Sequence, residues 1–208
     1  MEETKKEEMT IVQRVIDNKY NCIDANGKIL LEQWYDWVSD FYSEVAVVVR
    51  GNGDLNFINK QGKLLSEQWF EWVDDFKDGF AKAKRSTDKL LNLISEKGKF
   101  LSEQWFEKAF EFNEGFAVVE KTIGLRNFIG KDGKLLSDEW FNDVNSFHDG
   151  LAKVQRSDKK YNFINKKGKF LSKEWFNYLD DFHDGFARVQ RTNDECCKID
   201  KTGKLIKD

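Results

Sequence analysis

The sequence predicts a mainly β protein: a tandem array of six antiparallel three-stranded β-meander units of period 35, joined by short helical, Trp-bearing connectors. Three observations carry this. Trp34, Trp69, Trp105, Trp140 and Trp175 stand 35, 36, 35 and 35 residues apart. Gly27, Gly62, Gly98, Gly133, Gly168 and Gly203 keep the same beat. Short segments of alternating apolar and polar residues recur in register between them. A fixed period of this size marks a solenoid, a propeller or an array.

Each element follows from its residues. LAKVQR (151–156), with relatives FAKAKR (80–85), FAVVEK (116–121) and FARVQR (186–191), alternates with period two and reads as a half-buried strand. A second strand follows, YNFIN (161–165) and its relatives, in which Ile23, Ile58, Ile94, Ile129, Ile164 and Ile199 hold one inward position. The next turn, NKKG or DANG, opens with Asp, Asn or Ser in most units and closes with Gly in all. That fits a type I turn ending in a left-handed glycine with a bulge. KFLS (169–172) and its relatives read as a third strand. The connector SEQWFEWVDDFKDG (66–79) opens on Ser, an N-cap residue, and spaces Trp69, Val73 and Phe76 four and three apart. It reads as a short helix stopped by Gly79. The five Trp, with Tyr35, Phe70, Phe106, Phe141 and Phe176 after them, read as core between successive units.

YNFINKKGKFLSKEWFNYLDDFHDGFARV (161–189) resembles the WG-repeat family, also called the WG-containing or KWG repeat, found in bacterial and phage proteins. The pattern recurs over 11–206. Asn21, Asn56, Asn92, Asn127 and Asn162 stand where that family often has Gly. The resemblance implies a repeat architecture and carries no shared activity.

One repeat domain, 9–208, is expected, with units near 9–44, 45–79, 80–115, 116–150, 151–185 and 186–208 behind a charged tail, 1–8. An open or superhelical array is favoured over six-bladed closure. Propeller blades have about 40–45 residues and four strands, more than one unit supplies.

Composition bounds the function. The chain is 40% hydrophobic and 34% charged, with net charge −3, which gives no general pull toward nucleic acid or anionic membranes. No apolar run approaches a membrane span, and MEETKKEEMT lacks the apolar core of a signal peptide, so a cytoplasmic address is expected. Cys22, Cys196 and Cys197 do not form a disulfide framework. No phosphate loop, Rossmann glycine pattern or nucleophile elbow occurs. No catalytic, cofactor-binding or metal site is assigned.

Four features bear on binding. His148 and His183 occupy equivalent F-H-D-G sites and read as exposed turn residues rather than a zinc site. Cys196 and Cys197 replace the Tyr and Asn of other units, as in a degenerate end. Lys28, Lys63, Lys99, Lys134, Lys169 and Lys204, and Arg14, Arg50, Arg85, Lys121, Arg156 and Arg191, form two basic ladders, read as solvated strand ends. The position three after each repeated Trp varies: Trp37, Trp72, Lys108, Asp143, Tyr178. Lys and Asp there imply solvent, so Trp37, Trp72 and Tyr178 are the candidate partner-binding residues. The expected function is a non-enzymatic scaffold that binds another macromolecule, a protein above all, through an extended surface. The alternative is a small-ligand-binding or sequestering module with pockets between units.

Overall fold

The computed structural model describes residues 9–42, 44–122 and 124–207, so the expected tail, 1–8, lies outside the described residues. The chain is all β among them, in antiparallel sheets. It divides into two compact units, Met1–Glu103 and Gln104–Asp208. The first holds a two-stranded and a six-stranded sheet, the second two three-stranded sheets and one of four strands.

The expected hairpin forms in every repeat. First strands Thr10–Arg14, Val45–Val49, Phe80–Arg85, Phe116–Thr122, Leu151–Gln155 and Phe186–Gln190 pair with second strands Lys19–Ile23, Leu55–Asn59, Leu91–Ser95, Leu125–Gly130, Tyr161–Asn165 and Cys196–Asp200. Alternation sends Ala46 and Val48, Ala81 and Ala83, or Ala152 and Val154 inward. Opposite them, Ile58, Ile94, Ile129, Ile164 and Ile199 are fully buried. In the turns that open on Asp or Asn, that side chain accepts backbone N–H bonds: Asn165 Oδ1 from Lys167 at 2.9 Å and from Lys169 at 3.1 Å; Ser95 Oγ accepts from Lys99 in the third repeat. The closing glycine has positive φ, 79° at Gly27 and 76° at Gly62.

Two expectations are corrected. The third strand shrinks to single bridges, such as Ile58↔Leu64 and Ile164↔Phe170; only Leu205–Lys207 extends it. The connectors are not helices: no helix occurs among the described residues. The connector instead loops out and returns as an outer strand, Trp37–Val38, Phe70–Val73, Lys108–Asn113, Asp143–Val144 or Tyr178–Leu179, that pairs with the next first strand.

Two physical reasons explain the correction. The serine oxygen accepts from the N–H two residues on, Ser66 from Gln68 at 3.0 Å and Ser172 from Glu174 at 3.0 Å, which closes a local turn rather than capping a helix. The Asp-Gly or Glu-Gly that was to end a helix has both residues left-handed (Asp78 54°, Gly79 86°; Asp149 50°, Gly150 78°). That is the two-residue hairpin turn such dipeptides favour, closed by paired bonds between His148 and Leu151 of 2.8 and 3.1 Å. Tyr42 and Val45 bridge in the same way where the first connector lacks the glycine.

Candidate functional site

The loop-out is held by a buried asparagine. Asn162 donates Nδ2 bonds to the carbonyls of Ser172 at 2.9 Å and Glu174 at 3.1 Å, and its Oδ1 accepts from the N–H of Phe163 at 2.8 Å. Asn21, Asn56 and Asn127 repeat these contacts and are fully buried, so the position is an internal clamp. Cys197 takes this position in the strand Cys196–Asp200, which pairs with Leu205–Lys207. Cys196 is exposed and Cys197 buried. Burial pushes the Cys22 thiol up to about 11, which suppresses thiolate chemistry there.

The clamped loop sets the outlook of three residues in turn. The repeated Trp are half-buried, with Trp69 and Trp175 against the core. Their other face carries a cation: Arg14 over Trp34 at 4.5 Å, Arg50 over Trp69 at 4.5 Å, Lys121 over Trp140 at 4.4 Å, Arg156 over Trp175 at 4.7 Å. The next residue, Tyr35, Phe70, Phe106, Phe141 or Phe176, is core. Two residues further, the side chain faces out. Trp37 is 47% exposed, Trp72 43% and Tyr178 51%, each paired to the end of a first strand, at Val49, Lys84 and Gln190.

The polar occupants of that slot are bound into one chain of charges. Glu120 is buried and accepts from Lys108 at 3.0 Å and Arg126 at 2.9 Å; Arg126 also pairs with Asp143. Arg126 first, then Lys108, hold the Glu120 carboxyl below the ordinary range. Beside Trp72, Glu71 pairs with Lys84 at 3.0 Å and with Lys89.

The arginine ladder is committed. Beyond the Trp stacking, Arg14 pairs with Asp17, Arg50 with Asp54 at 2.6 Å, Arg85 with Asp88, and Arg191 with Glu174 at 2.9 Å and Glu195 at 2.7 Å. The lysines after the turn glycines are exposed. No signal in the sequence separates the two ladders, because the Arg–Trp meetings join residues about twenty positions apart.

The two histidines share a cleft of about 460 Å³ within Gln104–Asp208. Its walls are the stacked turns that carry His148–Asp149 and His183–Asp184. Among the described residues, no group of three or more His, Cys, Asp or Glu is arranged to hold a metal ion, and no helix is long and apolar enough to cross a membrane.

A family model described as "WG containing repeat" matches residues 22–53, 57–85, 93–122 and 163–194, more than half of the chain. No curated protein matches. Among solved structures, the computationally designed Ika8 protein is 16% identical (TM-score 0.37), over 99% of this chain and 72% of that one. BamB from Moraxella catarrhalis is 10% identical (TM-score 0.34), over 90% and 66%. The WD40 β-propeller domain of Doa1 is 11% identical (TM-score 0.32), over 98% and 84%.

Proposed function

The chain belongs to the WG-containing repeat family, and we propose that it is a non-enzymatic, cytoplasmic scaffold that binds another protein through an extended surface. The observation that carries this reading is the shared outlook of Trp37, Trp72 and Tyr178. All three are exposed at one register position of the outer strand, where the fold itself accepts Lys108 or Asp143. Apolar rings at a position that tolerates charge are not there for packing. Large aromatics left in water are the residue type that anchors protein interfaces, at about 2 kcal/mol or more each.

The repeat as scaffold explains the rest: clamps, turns and cores recur, and the surface slot varies. An open superhelical array belongs to this proposal, resting on the period and unit size, and a small-angle scattering profile matching a closed ring would remove it. The functional test compares capture of a partner from the source cell by the wild type and by Trp37→Ala/Trp72→Ala. The variant is expected to lose the partner while its thermal unfolding stays unchanged. Equal capture and equal self-association by the two proteins sink the proposal.

A second reading, a small-ligand-binding or sequestering module, is favoured by the two-histidine cleft, within the range of ligand pockets of about 300–1,000 Å³. Native mass spectrometry separates the two: the cleft predicts one ligand per chain, a repeated surface several.

A further inference from the structure

We propose that the two-histidine cleft binds a neutral saccharide; this rests on the small-ligand reading and names its ligand class. The floor is apolar. Leu151 and Phe163 are buried beneath it, and the partly exposed Phe182 lies with its ring 4.7 Å from that of Phe163. Three carboxylates and two ammonium groups surround this floor, and most of their charge is cancelled internally. Lys153 reaches Asp181 at 3.0 Å, and Lys201 reaches Asp149 at 3.0 Å.

What remains lines the cleft outside these ion pairs: the Asp184 carboxylate, the His183 imidazole, the His148 imidazole beside Asp149, the Asn145 amide and the Ser146 hydroxyl. Glu114 accepts from Lys166 at 2.8 Å and from the Gly150 N–H at 3.0 Å, and Asp149 accepts from Lys201. The Asp184 carboxylate is exposed and lines the cleft.

This inventory selects among ligands. A small anion meets Asp184 and must compete with Asp149 and Asp181 for the lysines. A cation meets those lysines. A polyol disturbs neither ion pair: its hydroxyls donate to Asp184 and exchange bonds with imidazole, amide and hydroxyl groups that both donate and accept. The Lys201 ammonium lies over the Phe182 ring, 5.9 Å from its centroid, so a pyranose is held there by its hydroxyls rather than by stacking on that ring. The site is singular, because the corresponding turns carry Lys77–Asp78 and Asn113–Glu114 instead of the histidines.

The test is saturation-transfer NMR on the full chain with methyl glucoside, galactoside and mannoside, and with glutamate and lysine as charged comparators. At least one glycoside is expected to receive saturation on its ring protons. Binding should weaken roughly tenfold in Asp184→Asn, which loses a charged acceptor, and in His148→Ala/His183→Ala. Both variants change exposed turn residues, and Asn tolerates the positive φ of 50° at Asp184, so near-ultraviolet dichroism serves as the fold control. Trp37→Ala/Trp72→Ala should bind as the wild type does. Transfer to glutamate or lysine with none to the glycosides overturns the saccharide and leaves the small-ligand reading standing. No transfer to any probe overturns both. Glycoside binding unchanged in both cleft variants overturns the site.

Discussion

At the scale of the residue, one glycine serves two constraints that the sequence shows as one. Gly27 and Gly98 both take positive φ, 79° and 76°. A β-carbon added at Gly27 would meet nothing within 4 Å, whereas at Gly98 it would stand 2.1 Å from the Leu65 carbonyl oxygen of the preceding repeat. Gly62, Gly168 and Gly203 make the same close approach to Leu30, Leu136 and Leu171. The turn of one repeat therefore rests on the backbone of the one before, at a distance only glycine permits. Gly27→Ala should cost about 1–2 kcal/mol, the left-handed penalty alone. Gly98→Ala should cost more, about 3 kcal/mol or above, because backbone must also move. Urea unfolding of the two variants checks this; equal losses would mean that the close approach adds nothing.

At the scale of the element, the outer strand that begins at Lys108 is tied to its neighbours by the buried Glu120 carboxylate. The Glu120 pKa is depressed in the fold by Arg126 and then Lys108. The stabilisation is therefore fully present above the unfolded glutamate value, about 4.3, and is lost as pH falls through the depressed folded value. Glu120→Gln should destabilise the protein by about 1–3 kcal/mol at neutral pH, and the gap to wild type should narrow under acid. A gap that stays constant from neutral pH to the acid limit of folding excludes this account. Elements of the two kinds differ in how far they were legible in the sequence. The paired strands and glycine turns were, because a half-buried hairpin alternates with period two and its bulged turn needs Asx and Gly at fixed places. The connectors were not. Tyr35 and Val38, Phe141 and Val144, and Phe176 and Leu179 are buried at a spacing of three. A helical stripe produces that spacing, and so does a short strand that leaves a clamped loop and bends, as the register shift between Phe70 and Trp72 illustrates. Of the candidate site, the outlook of Trp37, Trp72 and Tyr178 was readable because Lys and Asp share their slot. The meeting of both histidines with Lys153 and Lys201 in one cleft was not, because it depends on how successive turns stack.

At the scale of the molecule, a repeat array distributes its stability as a sum of units and nearest-neighbour contacts. The glycine contacts are of that kind: Gly62 meets Leu30 and Gly98 meets Leu65, each one repeat back. Damage to one clamp should therefore fade with distance along the chain. Asn56 supplies a clean test, since its side chain is fully buried and holds the carbonyls of Ser66 at 2.8 Å and Gln68 at 3.0 Å. Asn56→Ala removes both donors and the acceptor for the Phe57 N–H, at a cost of about 2–3 kcal/mol. Hydrogen exchange read by mass spectrometry should show the largest loss of protection in 45–79. Smaller losses are expected in the adjoining segments 19–38 and 80–100, with no change in 186–207. A uniform loss over every segment would mean that the chain opens only as a whole. In that case the repeats would share one cooperative core, and a partner gripping the Trp37 and Trp72 surface would stiffen the far end as much as the near one.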